Sequence, residues 1–365
     1  MSPGLPSRFR ADSRAHLEAR YNRRMALESS PNTSSDAFRH AAVVGATAWG
    51  TTLAIHLARN GVSTTLVART VAEAGILRSE RANTRRLPGA VFPDDLQVGV
   101  GPFGVANADL VVFAVPSGSL IANARTVAPT VAPDATLLSA TKGIEAETGR
   151  RMTELLAEVL PGRTVAAISG PNLSREVVSG MPGSTVIASK GGRIDALRAA
   201  FHSASLRVYT SEDVTGVEFG GALKNVIAIA GGIADALDFG HNAKAALLTR
   251  GLAEITRLGV AAGADPLTFQ GLAGLGDLIA TSYSPLSRNR RLGELVGGGQ
   301  RLTDALHALG GTAEGVPTVP AALGLASRLG VEMPITEGLQ SVLNGGQPPL
   351  EAMRVLMGRS PRAER

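Results

Sequence analysis

The stretch "VVGATAWGTTLAIHLARNG", Val43 to Gly61, decides the fold. An apolar run ends at a glycine, and an Ala/Leu/Ile-rich segment with helical spacing follows it. Strand, glycine turn and helix in that order form the opening unit of a dinucleotide-binding sheet. Gly45 makes the turn and Gly50 lets the helix lie close to the strand. The middle position, where glycine lets backbone approach a diphosphate, is Thr47, and a side chain there is expected to crowd the diphosphate. An ordinary strand–helix turn is the competing reading of the same spacing.

Working outward, "AAVVGA", "TTLVA", "DLVVFAV", "ATLLSAT", "TVAAIS" and "STVIAS" are Val/Ile/Leu-rich runs that alternate with helical stretches. Continuous apolar strands separated by helices predict a mostly parallel sheet covered on both faces. Past residue 215 the strand pattern fades. Residues 216–238 read as a helix apolar nearly all round, and Leu248, Leu252, Ile255 and Leu258 recur at helical spacing in the next one. Further helical stretches run over 302–309, 319–329 and 350–357. The expected fold is α/β. A Rossmann-like, doubly wound parallel sheet over 38–215 is followed by an all-helical domain over 216–358 and a short tail, 359–365. Residues 1–37 are polar, Arg-rich and end in a Ser/Pro/Asn/Thr cluster, which reads as a disordered extension; Met25 is an alternative start.

Composition narrows the function. Hydrophobic content of 44%, charged content of 18% and mean hydropathy of +0.13 over 365 residues describe a globular chain long enough for two cores. No apolar run crosses a bilayer's width without Gly, Pro or charge interruptions. No secretory pattern opens the chain, and zero cysteines exclude disulfides, thiolate nucleophiles and Cys-based zinc sites. A cytoplasmic location is expected. The net charge of +5 and pI of 10.0 raise nucleic acid as a partner, but no basic block is interleaved with aromatics, which total only 4%. Anionic small ligands suit the modest basic excess better. No G-x-S-x-G elbow exists and the six histidines lie in no metal-binding spacing, which excludes a Ser-His-Asp hydrolase.

Lysine is used sparingly. Of 36 basic residues only Lys142, Lys190, Lys224 and Lys244 are lysines. Lys224 lies in "EFGGALKNVIAIAGGIADAL", where burial of an unpaired ammonium demands a lowered pKa or an acidic partner. Such a lysine exchanges protons with a hydroxyl near neutral pH, and Asp277 is its expected partner. Lys142 follows one apolar strand and Ser169 to Asn172 another, on the side where open α/β sheets bind ligands. Asp277 and Thr281 lie in "GLGDLIATSYS", and Ser287, Arg288 and Asn289 open "SRNRRLGE". Each has a plainer reading: an exposed loop lysine, a helix-capping aspartate, a solvated basic turn. At the end of the second strand Arg69 stands where an acidic residue would hold the ribose hydroxyls of NAD, and an arginine suits the extra phosphate of NADP.

With these residues on the page, the chain resembles the NAD(P)-dependent glycerol-3-phosphate dehydrogenases of the bacterial biosynthetic type, over about 40–358. The resemblance rests on "WGTTLA", "NTRRLPG", "FAVPS", "TKGIE", "ISGPN", "GGALKNVIAIAGG", "LLTRGLAEI", "GLGDLIATSYSPLSRNR" and "EGV" in this order. It implies reduction of dihydroxyacetone phosphate to sn-glycerol 3-phosphate with NADPH, or NADH as the alternative donor, for glycerophospholipid synthesis, in a homodimer. Lys224 would be the general acid/base. Lys142 and Asn225 would hold substrate oxygens, while Asp277 and Thr281 fix the protonation and position of Lys224. Arg288 with Asn289 would bind the substrate phosphate, Ser287 would belong to the same substrate site, and Gly170 and Asn172 would line its pocket. Gly45, Thr47, Ala48, Trp49, Gly50, Arg69, Lys142, Ser174, Arg288, Thr312 and Glu314 would face the cofactor.

This sequence departs from the family pattern near the cofactor. Thr47 replaces the middle glycine and Ala48 a usual serine. Ser174 stands for a usual alanine, Thr312 for a usual valine, and Arg86 for the aromatic of a Y-L-P motif. Two alternatives follow: a relative with impaired or absent catalysis, and a reductase of another small phosphorylated ketone.

Overall fold

The computed structural model describes residues 37–360; the extension expected over 1–37 and the end of the tail lie outside the described residues, Ala37 apart. Eight strands form one sheet in the order β3-β2-β1-β4-β5-β6-β7-β8. They are β1 (His40–Val44), β2 (Ser63–Ala68), β3 (Gln97–Val100), β4 (Leu110–Phe113), β5 (Thr136–Ser139), β6 (Val165–Ser169), β7 (Gly183–Ala188) and β8 (Leu206–Ser211). Pairing is parallel from β3 through β6, with Val43 opposite Leu66 on one side and Val112 on the other. Alternate side chains of β1 enter different cores: Ala41 and Val43 one, Ala42 and Val44 the other. That is the period of two expected of a strand buried on both faces.

The sheet departs from full parallelism at one edge. β7 runs antiparallel to β6, and β8 follows β7. The link between β6 and β7 contains only the five-residue helix Ser174–Val178, too short to carry the chain back across the sheet. Chain direction therefore reverses there, and "STVIAS" joins the sheet antiparallel to β6 instead of extending the parallel run.

Helices α1 (Ala48–Arg59), α2 (Val71–Glu80), α3 (Leu120–Val127), α4 (Met152–Val159), α5 (Ser174–Val178) and α6 (Ile194–Phe201) flank the sheet. Then α7 (Val214–Ala236) runs through the helical half. It is long and apolar enough to span a membrane, yet 94% of its apolar window is buried inside the protein. It is a core helix. Around it lie α8 (Gly240–Ala261), α9 (Asp277–Tyr283), α10 (Arg288–Gly297), α11 (Leu302–Ala308), α12 (Gly315–Leu329), α13 (Pro334–Leu343) and α14 (Pro349–Met357). Glycines bring α7 and α10 together: a Cβ on Gly232 would meet the Arg290 carbonyl at 2.0 Å, and one on Gly293 the Ile229 carbonyl at 2.0 Å. Any larger side chain at either position forces the helices apart.

Candidate active site

Parallel strands end on one side of a sheet, so β1, β2, β5 and β6 deliver their following loops to a common rim. Gly45 to Gly50 follow β1, Arg69 follows β2, Lys142 follows β5, and Gly170 and Asn172 follow β6. Arg69 and Lys142 end strands three places apart in the sheet, about 14 Å at the usual strand spacing.

The glycine turn fits a dinucleotide in shape. Gly45 has φ +113°, and a Cβ there would meet Val115 Cγ1 at 2.7 Å; one on Gly50 would meet the Gly45 carbonyl at 2.0 Å. Thr47 does something its sequence position does not reveal. Its hydroxyl donates to the Ala114 carbonyl at 2.8 Å and accepts the Gly50 N–H at 3.0 Å, so it caps α1. The polar atom is turned into the protein, and one first-turn N–H is taken. Ala48 and Trp49 follow as the first two helical residues, whose N–H groups have no acceptor within the helix. Among the described residues the indole Nε1 of Trp49 is buried without a hydrogen-bond partner, as are Ser169 Oγ at the end of β6 and Asn172 Oδ1 just after it. Of these, Ser169 Oγ is turned against α7, where a Cβ on Gly221 would meet it at 2.3 Å.

Lys224 is 6% exposed, on α7. Its Nζ donates to Thr281 Oγ1 at 2.5 Å and lies 3.0 Å from Asp277 Oδ1. Lys142, arriving from the sheet half, places Nζ 2.6 Å from Asp277 Oδ2 and donates to the Gly170 carbonyl at 3.0 Å. Thr281 donates to Asp277 Oδ1 at 3.1 Å. One carboxylate therefore holds two ammonium groups. Burial pulls the Lys224 pKa down to about 8; Asp277 opposes this, and the nearby Lys142 charge adds to it. Asp277 is not a capping residue. It follows a wide helical turn, in which the Gly276 N–H reaches back to the Gly271 carbonyl at 3.1 Å, and opens α9 with its side chain facing the lysines.

A hydrogen-bonded chain leads from Lys224's neighbour back to the sheet. Asn225 Oδ1 accepts from Asn289 Nδ2 at 2.8 Å, and Asn289 Oδ1 accepts the Gly315 N–H at 3.0 Å. Just before α12, Glu314 accepts from Ser117 Oγ at 2.7 Å in the loop after β4. The S-R-N segment is thus no solvated turn: Ser287 caps α10, accepting the Arg290 N–H at 3.2 Å, and Arg288 and Asn289 form its first turn. Arg288 stays solvent-accessible, its pKa lowered by the surrounding walls and by Arg86, with Glu314 opposing. Ser174 opens α5, and its carbonyl accepts from Thr52 Oγ1 at 3.2 Å. Arg69 and Thr312 lie exposed at the rim, outside the lysine–aspartate cluster.

Two supports escaped the sequence reading. Buried Glu218 accepts Thr153 N–H at 2.9 Å and Arg151 Nη1 at 2.8 Å, tying α7 to the start of α4; burial raises its pKa against Arg151 and Thr153. Asp235, near the end of α7, holds Lys244 at 2.7 Å and Arg290 at 2.8 Å. The signal for the second was present: Lys244 is another of the four scarce lysines. The apolar cavity between α7, α8, α13 and α14, lined by Ile233, Phe239, Leu247 and Leu339 among others, shares no residue with the cluster and presents no titratable side chain.

Models of the NAD-dependent glycerol-3-phosphate dehydrogenase N-terminus and C-terminus match residues 40–194 and 213–354. A glycerol-3-phosphate dehydrogenase (NAD(P)+) of Streptomyces avermitilis is 45% identical over 329 residues, 89% of this chain and 98% of that protein. One from a Parafrankia species is 47% identical over 331 residues, 89% of this chain and 99% of that one. The crystal structure of glycerol-3-phosphate dehydrogenase from Coxiella burnetii superposes with a TM-score of 0.85 at 34% identity, covering 88% of this chain and 99% of that one. A ketopantoate reductase from Ralstonia eutropha, at 19% identity and a TM-score of 0.55, shares the fold alone. The chain belongs to the NAD-dependent glycerol-3-phosphate dehydrogenase family, and it is an oxidoreductase that uses a nicotinamide cofactor.

Proposed function

We propose that the protein reduces dihydroxyacetone phosphate to sn-glycerol 3-phosphate, with NADPH as the preferred donor and NADH the weaker one. The observation that carries this reading is the pair of lysines on one carboxylate, Lys142 and Lys224 on Asp277. The cofactor supplies hydride to the ketone carbon when bound. Lys224, with a pKa near 8, gives its proton to the carbonyl oxygen as negative charge develops there. Lys142 and Asn225 hold substrate oxygens, and Asp277 with Thr281 keeps the Lys224 ammonium in place and charged. Arg288, Asn289 and the first-turn N–H groups of α10 grip the phosphate. Gly170 and Asn172 wall the substrate pocket. Thr47, Ala48, Trp49, Ser174, Thr312 and Glu314 line the cofactor's path, and Arg69 meets the 2′-phosphate.

The boundary near residue 215 separates the cofactor half from the substrate half. A homodimer is part of the same reading. It is supported by exposed Leu275, Ile279, Tyr283 and Leu286 on and beside α9, an apolar stripe suited to a second copy. A cytoplasmic role in supplying the glycerophospholipid backbone completes it. The test is cofactor oxidation followed by absorbance, with and without dihydroxyacetone phosphate, first with NADPH and then NADH. Substrate-dependent oxidation favouring NADPH supports the reading; a folded protein that leaves both cofactors unconsumed overturns it.

A further inference from the structure

Arg86 lies in the segment Asn83 to Gly89, and both sides of it are pinned. Asn83 is buried, and its Nδ2 donates to the Ala46 carbonyl at 3.0 Å and to Thr51 Oγ1 at 2.8 Å. Those partners are the residue before Thr47 and a residue of α1's first turns, so the segment is fastened directly to the glycine loop. Leu87 is fully buried in the core on that face of the sheet, and its N–H returns to the Asn83 carbonyl at 2.8 Å. The Arg86 N–H closes on the same carbonyl at 3.1 Å. Between these anchors the Arg86 side chain is exposed, with no hydrogen-bond or ion-pair partner among the described residues.

Burial does most to lower the Arg288 pKa; the Glu314 carboxylate opposes it, and the Arg86 charge, within electrostatic reach, adds to the lowering. Arg86, fastened beside the glycine loop, and Arg288, on the first turn of α10, are thus both exposed and within reach of each other's charge, and neither forms an ion pair among the described residues. Like charges held together this way repel until an anion comes between them. Meanwhile Thr47 has withdrawn the Gly50 N–H from the donors that α1 offers an anion.

We propose that Arg86 is an anion-gripping residue of the active-site cleft, closing with Arg288 on one phosphoryl group, the cofactor's diphosphate or the substrate's phosphate monoester. The position beside the glycine loop favours the diphosphate, with Arg86 supplying the donor that Thr47 removes. A guanidinium reaches a phosphate oxygen with a charge-assisted, two-pronged geometry that neither a hydroxyl nor an aromatic ring provides. This inference rests on the dehydrogenase reading and adds a residue to its site.

The chain's single tryptophan, Trp49, lies in the glycine loop and reports binding without catalysis. Quenching of its emission is titrated with NADPH alone in wild type, Arg86→Gln and Arg86→Lys, at low and high salt. Arg86→Gln is expected to weaken NADPH about tenfold, Arg86→Lys to recover part of the loss, and the difference to shrink as salt rises. Steady-state KM for dihydroxyacetone phosphate forms the second arm. An increase there, with NADPH affinity unchanged, assigns the phosphoryl group to the substrate. Neither quantity changing in Arg86→Gln, while wild type binds and turns over, overturns the assignment. Wild type that quenches with NADPH but never oxidises it brings down the dehydrogenase reading instead, and the titration still decides Arg86.

Discussion

Lys142 and Lys224 come from opposite halves of the chain and close on the two oxygens of one carboxylate, at 2.6 Å and 3.0 Å from Asp277 Oδ2 and Oδ1. The cluster carries one net positive charge in a largely buried place. That charge lies where a ketone oxygen becoming an alkoxide would be stabilised. The arrangement also joins the sheet half to the helical half at the point of chemistry, so a shift between them changes the proton donor's surroundings.

Lys224 governs the pH dependence. Its pKa of about 8 means the ammonium needed for ketone reduction is lost as pH rises through that value. Reductive kcat/KM is therefore expected to fall above pH 8, while oxidation of glycerol 3-phosphate, which needs the neutral amine, rises over the same range. Lys224→Ala is expected to lower turnover about 100- to 10,000-fold, the usual worth of a general acid, while NADPH binding stays nearly unchanged. Asp277 raises the Lys224 pKa, so Asp277→Asn moves both limbs to lower pH. Profiles of kcat/KM in the two directions check this, and an upward move in Asp277→Asn would refute the coupling.

Thr47 separates two effects that the sequence merges. The sequence reading has a side chain crowding the diphosphate; the structure adds that its hydroxyl takes the Gly50 N–H. Thr47→Ser keeps both hydrogen bonds and removes only a methyl, whereas Thr47→Gly also frees the N–H. If the lost donor dominates, Thr47→Gly tightens NADPH severalfold and Thr47→Ser leaves it unchanged. If crowding dominates, both tighten it. Titration of Trp49 quenching distinguishes the two, and unchanged affinity in both variants means the loop has accommodated the threonine.

Arg69 is expected to set the cofactor preference. It is exposed at the end of β2, its backbone N–H donates to Glu73 Oε2 at 2.9 Å, and its guanidinium has no partner among the described residues. A free guanidinium on a 2′-phosphate is worth about 1.5–3 kcal/mol, roughly 10- to 100-fold in kcat/KM. Arg69→Ala is expected to lower kcat/KM for NADPH by that factor and leave NADH nearly unaffected. A parallel loss with both cofactors would place Arg69 elsewhere than the 2′-phosphate.

What the sequence made legible follows from contrast. Lys224 stood out because, Asn225 apart, every neighbour in "GGALKNVIAIAGG" is small or apolar, and the strands from β1 through β6, β3 excepted, because continuous apolar runs with sharp ends have few other readings. The edges were harder. β3 is four residues of Gln, Val, Gly and Val beside only one neighbour, and β8 alternates buried Leu206 and Val208 with exposed Arg207 and Tyr209. Helix α10 was hidden for another reason. "SRNRRLGELVG" is polar in its first turn, and it is helical because Ser287 caps it and Gly293 lets it seat on α7. Arg290 and Asp235 are 55 residues apart, and no local pattern announces a pair at that separation.

Asp235 gives the last prediction. Its carboxylate holds Lys244 Nζ at 2.7 Å and Arg290 Nε at 2.8 Å, and Lys244 also sits 4.4 Å from the centre of the Tyr283 ring. The group therefore braces α7, α8, the end of α9 and the start of α10, the frame around Asp277 and Arg288. Lys244 is 4% exposed, so removing its partner leaves a buried charge uncompensated. Asp235→Ala is expected to cost about 3 kcal/mol of stability in denaturant unfolding. Adding Lys244→Met removes the stranded ammonium and should restore a good part of that loss, because the two changes act on one interaction. A positioning role in catalysis requires more than stability: the folded Asp235→Ala enzyme should show a raised KM for the phosphorylated substrate with the pH limb near 8 unmoved, since Lys224 keeps its own carboxylate. Simple additivity of the two stability changes would show that Asp235 and Lys244 do not act as a pair.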